Sequence, residues 1–414
     1  MLSESSHRIA RLSNWTVISL FFLALLSPAA RMLTSPGADW SPSENRVLAV
    51  MPPPPKSIDG LTAWRSGIDA YLNDHFGFRQ WYIRHYQHEL MRCFEVIPAS
   101  VPVLAGVDGW YFFTMFGAID DFYGRIPLKN EQLRVWMAAQ EAKKRWLGER
   151  GIHYLLLVAP NKQSVYSQML AAGAPATRGQ SRYDQLLAEL GGRTPDFMPD
   201  LRRVLRAEAA DGKVLYYKND AHWNDLGAYL AFHEMMKQLS VWFPDAGFKT
   251  NFRIIPQVTG RGGNSGRGGD LAKMLMRRNL VETYPKFTYF RRDFKRLPLP
   301  CPISDIPREP DRRSYLTRLA EPGEKPKALI FRDSFFVPLV PLVAKNFGEA
   351  LFLWKSYDQR NVEEALNCFK PDVVIEEIVE WHMFDFILEK EKKPEAASIS
   401  ANASGSVPTG APSP

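Results

Sequence analysis

At 414 residues with 45% apolar side chains, the chain is too rich in core-forming residues to be mostly disordered, and it has room for one large domain or two small ones. A net charge of +7 and a pI near 9.1 suit an anionic partner such as an acidic glycan or a membrane surface. Lys and Arg are spread along the whole length, however, without a zinc finger or a basic-aromatic module, which argues against nucleic acid. Cys93, Cys301 and Cys368 are too few for a disulfide scaffold and lack the paired spacing of a zinc site. They allow one disulfide with a spare thiol, and the sequence leaves the pair open.

The first segment sets the compartment. Behind Arg8 and Arg11, the run from Trp15 through Leu26 to Ala30 is uncharged, with Arg31 and then Leu33 beyond it. This is slightly short of the ~20 residues that cross a bilayer, but it can span if Arg31 snorkels to the interface. The basic flank predicts a short cytoplasmic N-terminus at 1–13 and a single anchor at 14–33. The competing reading is a cleaved signal peptide with Ser27 and Ala29 at the processing site, which Pro28 makes a poor one. Either reading exports the remainder. Residues 34–57, with four consecutive prolines from Pro52, read as a stiff spacer.

A folded domain is expected over 58–390. Leu61, Trp64, Ile68, Tyr71 and Leu72 recur at helical spacing, and a second helix is expected from Gln80 to about Phe94. His75, His85 and His88 fall in or between these helices; His85 and His88 lie three apart without a patterned carboxylate or Cys partner, so no metal is assigned to them. Asp108 to Phe113 reads as a turn into a strand, and 130–148 as a helix burying Leu133, Trp136 and Met137. Alternation follows. Strands are expected at Ile152 to Val158, Val214 to Tyr217, 328–332, Ala350 to Leu353 and Val373 to Ile375, with helices near 181–190, 200–209, Asp225 to Leu239, 336–346 and Val362 to Phe369. Such alternation implies a mostly parallel sheet covered on both faces. The glycine-rich stretch from Thr259 to Leu271 is read as a mobile loop at the mouth of a site, because no strand is expected before it and no Gly-Lys-Ser or Gly-Lys-Thr closes it. Residues 391–414, mainly Ala, Ser, Gly and Pro at the far end, are expected to be disordered.

Two stretches carry chemistry. Val214 to Tyr217 leads into Asp220 and His222, after which Asn224 can cap a helix. Ala328 to Phe331 leads into Arg332, Asp333 and Ser334. A serine hydroxyl needs an imidazole to take its proton, and that imidazole needs an acceptor on its other nitrogen. Asp220 and His222, two apart in extended backbone, share a side. Parallel strands put their carboxyl ends on one edge, where Ser334 can meet them. Ser334 is therefore read as nucleophile, His222 as base and Asp220 as orienter. The backbone N–H of Ser334 is the first oxyanion donor, with Asn161, Lys162 and Arg332 as further oxyanion or substrate-binding candidates and Trp223 beside them.

Asn219 to Asn224, followed by Gly227 and Ala228, resembles the Asp-x-His-Trp block of the SGNH-hydrolase-like proteins of bacterial polysaccharide O-acetylation, the AlgJ and AlgX type. Phe76 to Arg79, Asp108 to Tyr111, Pro160 to Tyr166, Gly269 to Ala272 and Arg332 to Phe335 follow in that family's order, so the resemblance extends over roughly residues 58–385. It implies a three-layer α/β/α SGNH-hydrolase-like domain, preceded here by the transmembrane helix, with Asp220, His222 and Ser334 as its triad. Arg332 departs from the small Gly usual in esterase blocks. With no room after the domain for the carbohydrate-binding module of AlgX-type proteins, the membrane-anchored AlgJ type is closer. The resemblance further implies an O-acetyltransferase held at the inner membrane with its catalytic domain in the periplasm. Its acceptor would be a cell-surface or secreted polysaccharide and its acetyl donor a multi-span membrane O-acyltransferase, with no cofactor and no metal. The alternatives are an SGNH-type carbohydrate esterase, or a non-catalytic glycan-binding subunit of a polysaccharide assembly complex.

Overall fold

The computed structural model describes residues 2–34, 40–41, 46–94, 96–98, 101–170, 179–263, 268–277, 279–288, 294–306 and 313–388. The expected disordered tail at 391–414 lies outside the described residues, as do parts of the expected spacer and residues 264–267 of the glycine-rich stretch. The chain divides into two compact units, one spanning 1–101 with 273–277 and the other 102–272 with 278–414.

The first unit is helical. Helix α1 covers Leu2–Thr34, and its segment Asn14–Thr34 is long and apolar enough to cross a membrane, with almost none of it buried against protein. Helices α2 (Leu61–His75) and α3 (Arg79–Phe94) follow at the expected positions. His75 is engaged locally, its Nε2 2.9 Å from the Ala49 carbonyl oxygen and its ring stacked on Tyr71. The His85 ring meets Trp81 edge-on.

The second unit holds the sheet. It opens with a hairpin of β1 (Val103–Ala105) and β2 (Tyr111–Phe113), then α4 (Asn130–Gly148) and β3 (His153–Ala159). Next come α5 (Arg182–Glu189), α6 (Leu201–Ala210) and α7 (Asp225–Trp242). Strands β4 (Ile254–Gly260) and β5 (Glu282–Phe287) pair antiparallel. The chain continues through β6 (Phe294–Leu297), β7 (Tyr315–Leu319), β8 (Lys327–Phe331), β9 (Glu349–Leu353), α8 (Gln359–Leu366) and β10 (Val373–Val379).

The six-stranded sheet has the order β3-β10-β8-β9-β7-β6, with the first four strands parallel and β7 and β6 antiparallel at one edge. Residues in register alternate between the two faces, as a period of two requires. Leu155, Ile375, Ile330, Phe352 and Tyr315 form one row, facing a core that includes Leu205 of α6 and Phe232 and Met235 of α7. The neighbouring row of Tyr154, Val374, Leu329, Leu351 and Leu316 faces Leu133 and Trp136 of α4, Leu186 of α5 and Val362 of α8. Three layers result. In α4, Leu133 and Trp136 are buried as expected while Met137 is half-buried, and the Trp136 indole donates to the Met383 carbonyl.

Two expectations are corrected. Val214 to Tyr217 is not a strand of this sheet; the stretch makes one isolated bridge, Tyr216 with Trp223. Leu215, Tyr216 and Tyr217 are buried all the same, and the stretch is held by bonds within its own loop and to other segments. Leu215 N donates to the Tyr166 hydroxyl (2.8 Å), Asn224 N donates to Leu215 O (2.8 Å), and the Tyr216 hydroxyl donates to Pro160 O (2.6 Å). An apolar run marks burial, and burial without a ladder leaves the same trace. The second correction concerns the glycine-rich stretch, into which a strand does lead. That strand, β4, is mostly exposed and so lacks the apolar pattern that would have announced it. Cys301 and Cys368 form the disulfide, and Cys93 is free and exposed.

Candidate active site

Because β3, β10, β8 and β9 run parallel, their carboxyl ends share one edge of the sheet, and the polar residues gather there. Ser334 stands three residues past the end of β8. Asp333 orients it: its Oδ1 accepts from Phe335 N (2.7 Å) and its Oδ2 from Val379 N (3.1 Å), tying the serine turn to the end of β10. Asp333 N in turn donates to Glu377 Oε2 (3.0 Å). Burial raises both carboxyl groups above their ordinary range, Glu377 strongly, where the neighbouring Asp333 charge adds to the effect.

Asp220 and His222 sit in the loop between Tyr216 and Trp223. The His222 Nδ1 is 2.5 Å from Asp220 Oδ1, and its Nε2 is 2.7 Å from the Ser334 Oγ. In the neutral ring, with the Nδ1 proton directed at the carboxylate, Nε2 accepts and the serine hydroxyl donates. The same Asp220 Oδ1 also accepts from His222 N (2.9 Å). Burial disfavours the charged imidazole, but the Asp220 carboxylate outweighs it and raises His222 to about 9. Burial opposes the Asp220 charge too, yet His222 and the backbone donors hold it well below the usual carboxylate range. The Phe335 ring lies 4.5 Å from the imidazole, walling one side.

The remaining candidates have other occupations. Lys162 is buried and its Nζ donates to three carbonyls, those of Tyr111 (2.6 Å), Lys218 (2.9 Å) and Asp220 (2.9 Å). Burial lowers it to about 7 against the pull of Glu282, Asp220 and Asp270. Its three protons are committed to holding up the loop, which replaces the expected oxyanion role with a structural one. Arg332 is also buried; it donates to Arg313 O (2.5 Å) and lies 4.7 Å from the Trp354 ring centroid. Trp223 is packed inside with its indole N–H on Phe335 O (2.8 Å), so it joins the histidine loop to the serine turn rather than facing a substrate. Asn161 follows β3 on the shared edge. Its backbone N donates to Glu380 Oε2 (2.8 Å), and its Oδ1 is buried without a hydrogen bond.

Two contributors escaped the sequence reading. Glu380, just past β10, accepts from Asn161 N, Ser164 Oγ (3.0 Å) and Arg202 Nη1 (3.3 Å), fixing the turn after β3. Asp270 stands beside Asp220 and His222. These last three each offer a ligand atom within 4.8 Å of the others, a grouping that could take a cation. Nδ1 is already at hydrogen-bond distance from Asp220, as a proton relay requires. The only signal for Asp270 was its place in the block Gly269 to Ala272.

The family model described as "SGNH hydrolase-like domain, acetyltransferase AlgX" matches residues 103–293, a stretch holding Asp220, His222 and Asp270 but ending before Ser334. The chain is 32% identical over 126 residues to the "Probable alginate O-acetylase AlgJ" of Pseudomonas aeruginosa, covering 30% of each chain. It is 26% identical over 141 residues to that of Pseudomonas putida, covering 33% of this chain and 34% of the relative. The match thus spans about a third of the curated relatives' length. Among solved structures, the O-acetyltransferase domain of Pseudomonas putida AlgJ aligns with 68% of this chain and 92% of its own at TM-score 0.42 and 18% identity. Pseudomonas aeruginosa AlgX aligns with 68% and 62% at TM-score 0.42 and 16% identity.

Proposed function

We propose that the protein is an exported, membrane-tethered polysaccharide O-acetyltransferase working through an acetyl-serine, a reading supported by the match of residues 103–293 to the SGNH hydrolase-like AlgX acetyltransferase model. The observation that carries the proposal is the hydrogen-bonded run from Ser334 Oγ to His222 (2.7 Å) to Asp220 (2.5 Å). His222 Nε2 takes the hydroxyl proton as Ser334 Oγ attacks the donor's acetyl carbonyl, then returns it to the departing group. A sugar hydroxyl next gives its proton to His222 and attacks the acetyl-serine, and the freed Ser334 oxygen recovers the proton. The Ser334 backbone N–H is the proposed oxyanion donor, with the Asn161 side chain as a second candidate.

The acetyl donor is a multi-span membrane O-acyltransferase, and the acceptor an acidic polysaccharide such as the alginate named in the relatives' descriptions, which suits the +7 charge. The anchor is Asn14–Thr34, with the domain that follows it in the periplasm. The Cys301–Cys368 disulfide supports export, since such bonds persist in oxidising compartments.

The test uses the full chain in detergent with a chromogenic acetyl ester, with and without an acidic oligosaccharide. Ester consumption coupled to acetylated sugar, lost in Ser334→Ala, is expected. Release indifferent to sugar would make the protein an esterase. An active Ser334→Ala, or a folded wild type that neither turns over nor reacts with a serine-directed fluorophosphonate, would remove the enzyme reading altogether.

A further inference from the structure

We propose that Asp270, delivered by the glycine-flanked stretch 261–263 and 268–270, is a positioning residue that holds the Asp220 carboxylate and the His222 ring in the geometry that engages Ser334. The proposal rests on the reading of Ser334 as the nucleophile.

Asp270 touches three consecutive residues of the histidine loop. Its backbone N donates to Asp220 Oδ2 (3.2 Å), its Oδ1 accepts from Ala221 N (2.8 Å), and its Oδ2 lies 3.6 Å from His222 Nδ1. The division of labour on Asp220 follows. Oδ2 is held by Asp270 N, and Oδ1 is left to take both the backbone N–H and the ring Nδ1 of His222. Capping a short helix at 270 would account for the bond from Leu271 N to Asp270 Oδ1 (2.7 Å), but not for the bond from Ala221 nor for the second oxygen facing the imidazole.

The glycines permit this approach. A Cβ on Gly269 would lie 1.9 Å from the Asn219 carbonyl oxygen, so any other residue would push the strap off the loop. Gly263, at φ +85°, passes so close that a Cβ there would sit 2.8 Å from Asp220 Oδ2 itself. The glycine-rich motif therefore reads as a close-fitting backbone clamp on the carboxylate.

The charged groups around Asp270 are Asp220, His222 and, under the Asp220 carbonyl, Lys162; Asp333 acts on His222 and Glu282 on Asp220 from further out. Burial and the Asp220 carboxylate raise Asp270 to about 7, and its charge adds to that of Asp220 in holding the proton on His222. Removing it lets His222 deprotonate at lower pH.

The experiment measures fluorophosphonate labelling of the full-length protein in detergent across roughly pH 5 to 10, with a melting curve for each variant. Asp270→Asn keeps an oxygen for Ala221 N and loses the charge; it should lower the plateau rate about tenfold and move the labelling midpoint to lower pH. Asp270→Ala, which also loses the bond to Ala221, should fall further, by up to about a hundredfold. Gly263→Ala should reduce the rate by displacing the carboxylate, with Asp270 intact. The midpoint is independent of how much protein is folded, so it decides even if a variant melts early. A wild-type midpoint and rate in Asp270→Asn, or a changed melting temperature with an unmoved midpoint, overturns the proposal. Undiminished labelling of Ser334→Ala overturns instead the functional reading beneath it.

Discussion

His222 lies between two demands. To act as a base it must be neutral, yet Asp220 raises it to about 9, so labelling or turnover at Ser334 should climb from pH 7 toward 9 and level off above. The stability contribution runs the opposite way. A folded-state value above the ordinary 6.5 means that the stabilisation is complete below pH 6.5 and is lost as the pH rises through about 9. Asp220, held low, contributes above its ordinary 3.8 and loses that contribution only on strong acidification. His222→Ala should therefore cost about 2 kcal/mol at pH 6, a charged buried hydrogen bond, and much less at pH 10. Denaturant melts at the two values check this; equal losses at both would show that the pair is not charged in the folded protein. The Asp-x-His spacing was legible because it is local, and the chemistry of serine activation then supplied the order of roles.

At the scale of the element, the decisive piece is the loop from Leu215 to Asn224. Its apolar residues read as a strand, but its support comes from other segments: the Tyr166 hydroxyl, the Pro160 backbone carbonyl that accepts from the Tyr216 hydroxyl, and above all the Lys162 side chain. An ammonium taken out of water must be surrounded by acceptors, and the carbonyls of Tyr111, Lys218 and Asp220 provide them. Lys162→Met should strand these acceptors and cost about 3 kcal/mol, with a loss of Ser334 reactivity larger than the loss of folded protein, because one of the freed carbonyls belongs to Asp220. A Lys162→Met protein as stable and as reactive as wild type would refute the buttress. The sequence signalled Lys162 as polar and near a strand end, which suited an oxyanion donor equally well. Burial alone separated the two roles, and burial belongs to the assembled unit.

Across the whole molecule, the disulfide ties the segment after β6 to the end of α8, closing a separation of 67 residues around the antiparallel edge of the sheet. Cross-linking so long a loop restricts the unfolded chain, so Cys301→Ser or reduction should lower stability by about 2–4 kcal/mol. Melting with and without reductant measures it, and a Cys93→Ser control should show no change.

The alternation of helices and strands, the apolar N-terminal helix and the Asp220–His222 pair were all written in short stretches, since periodicity, caps and an i to i+2 spacing act over a few residues. What the tertiary structure decided was contact across distance. Ser334 reaches His222 over 112 residues because the histidine loop, held from outside the sheet by Tyr166 and Lys162, lies against the turn after β8, where Trp223 bonds to Phe335, and Asp270 reaches Asp220 over 50 because glycine lets two backbones touch. Pairing between remote segments depends on which surfaces remain unfilled once each element has formed, and no single stretch of sequence carries that information.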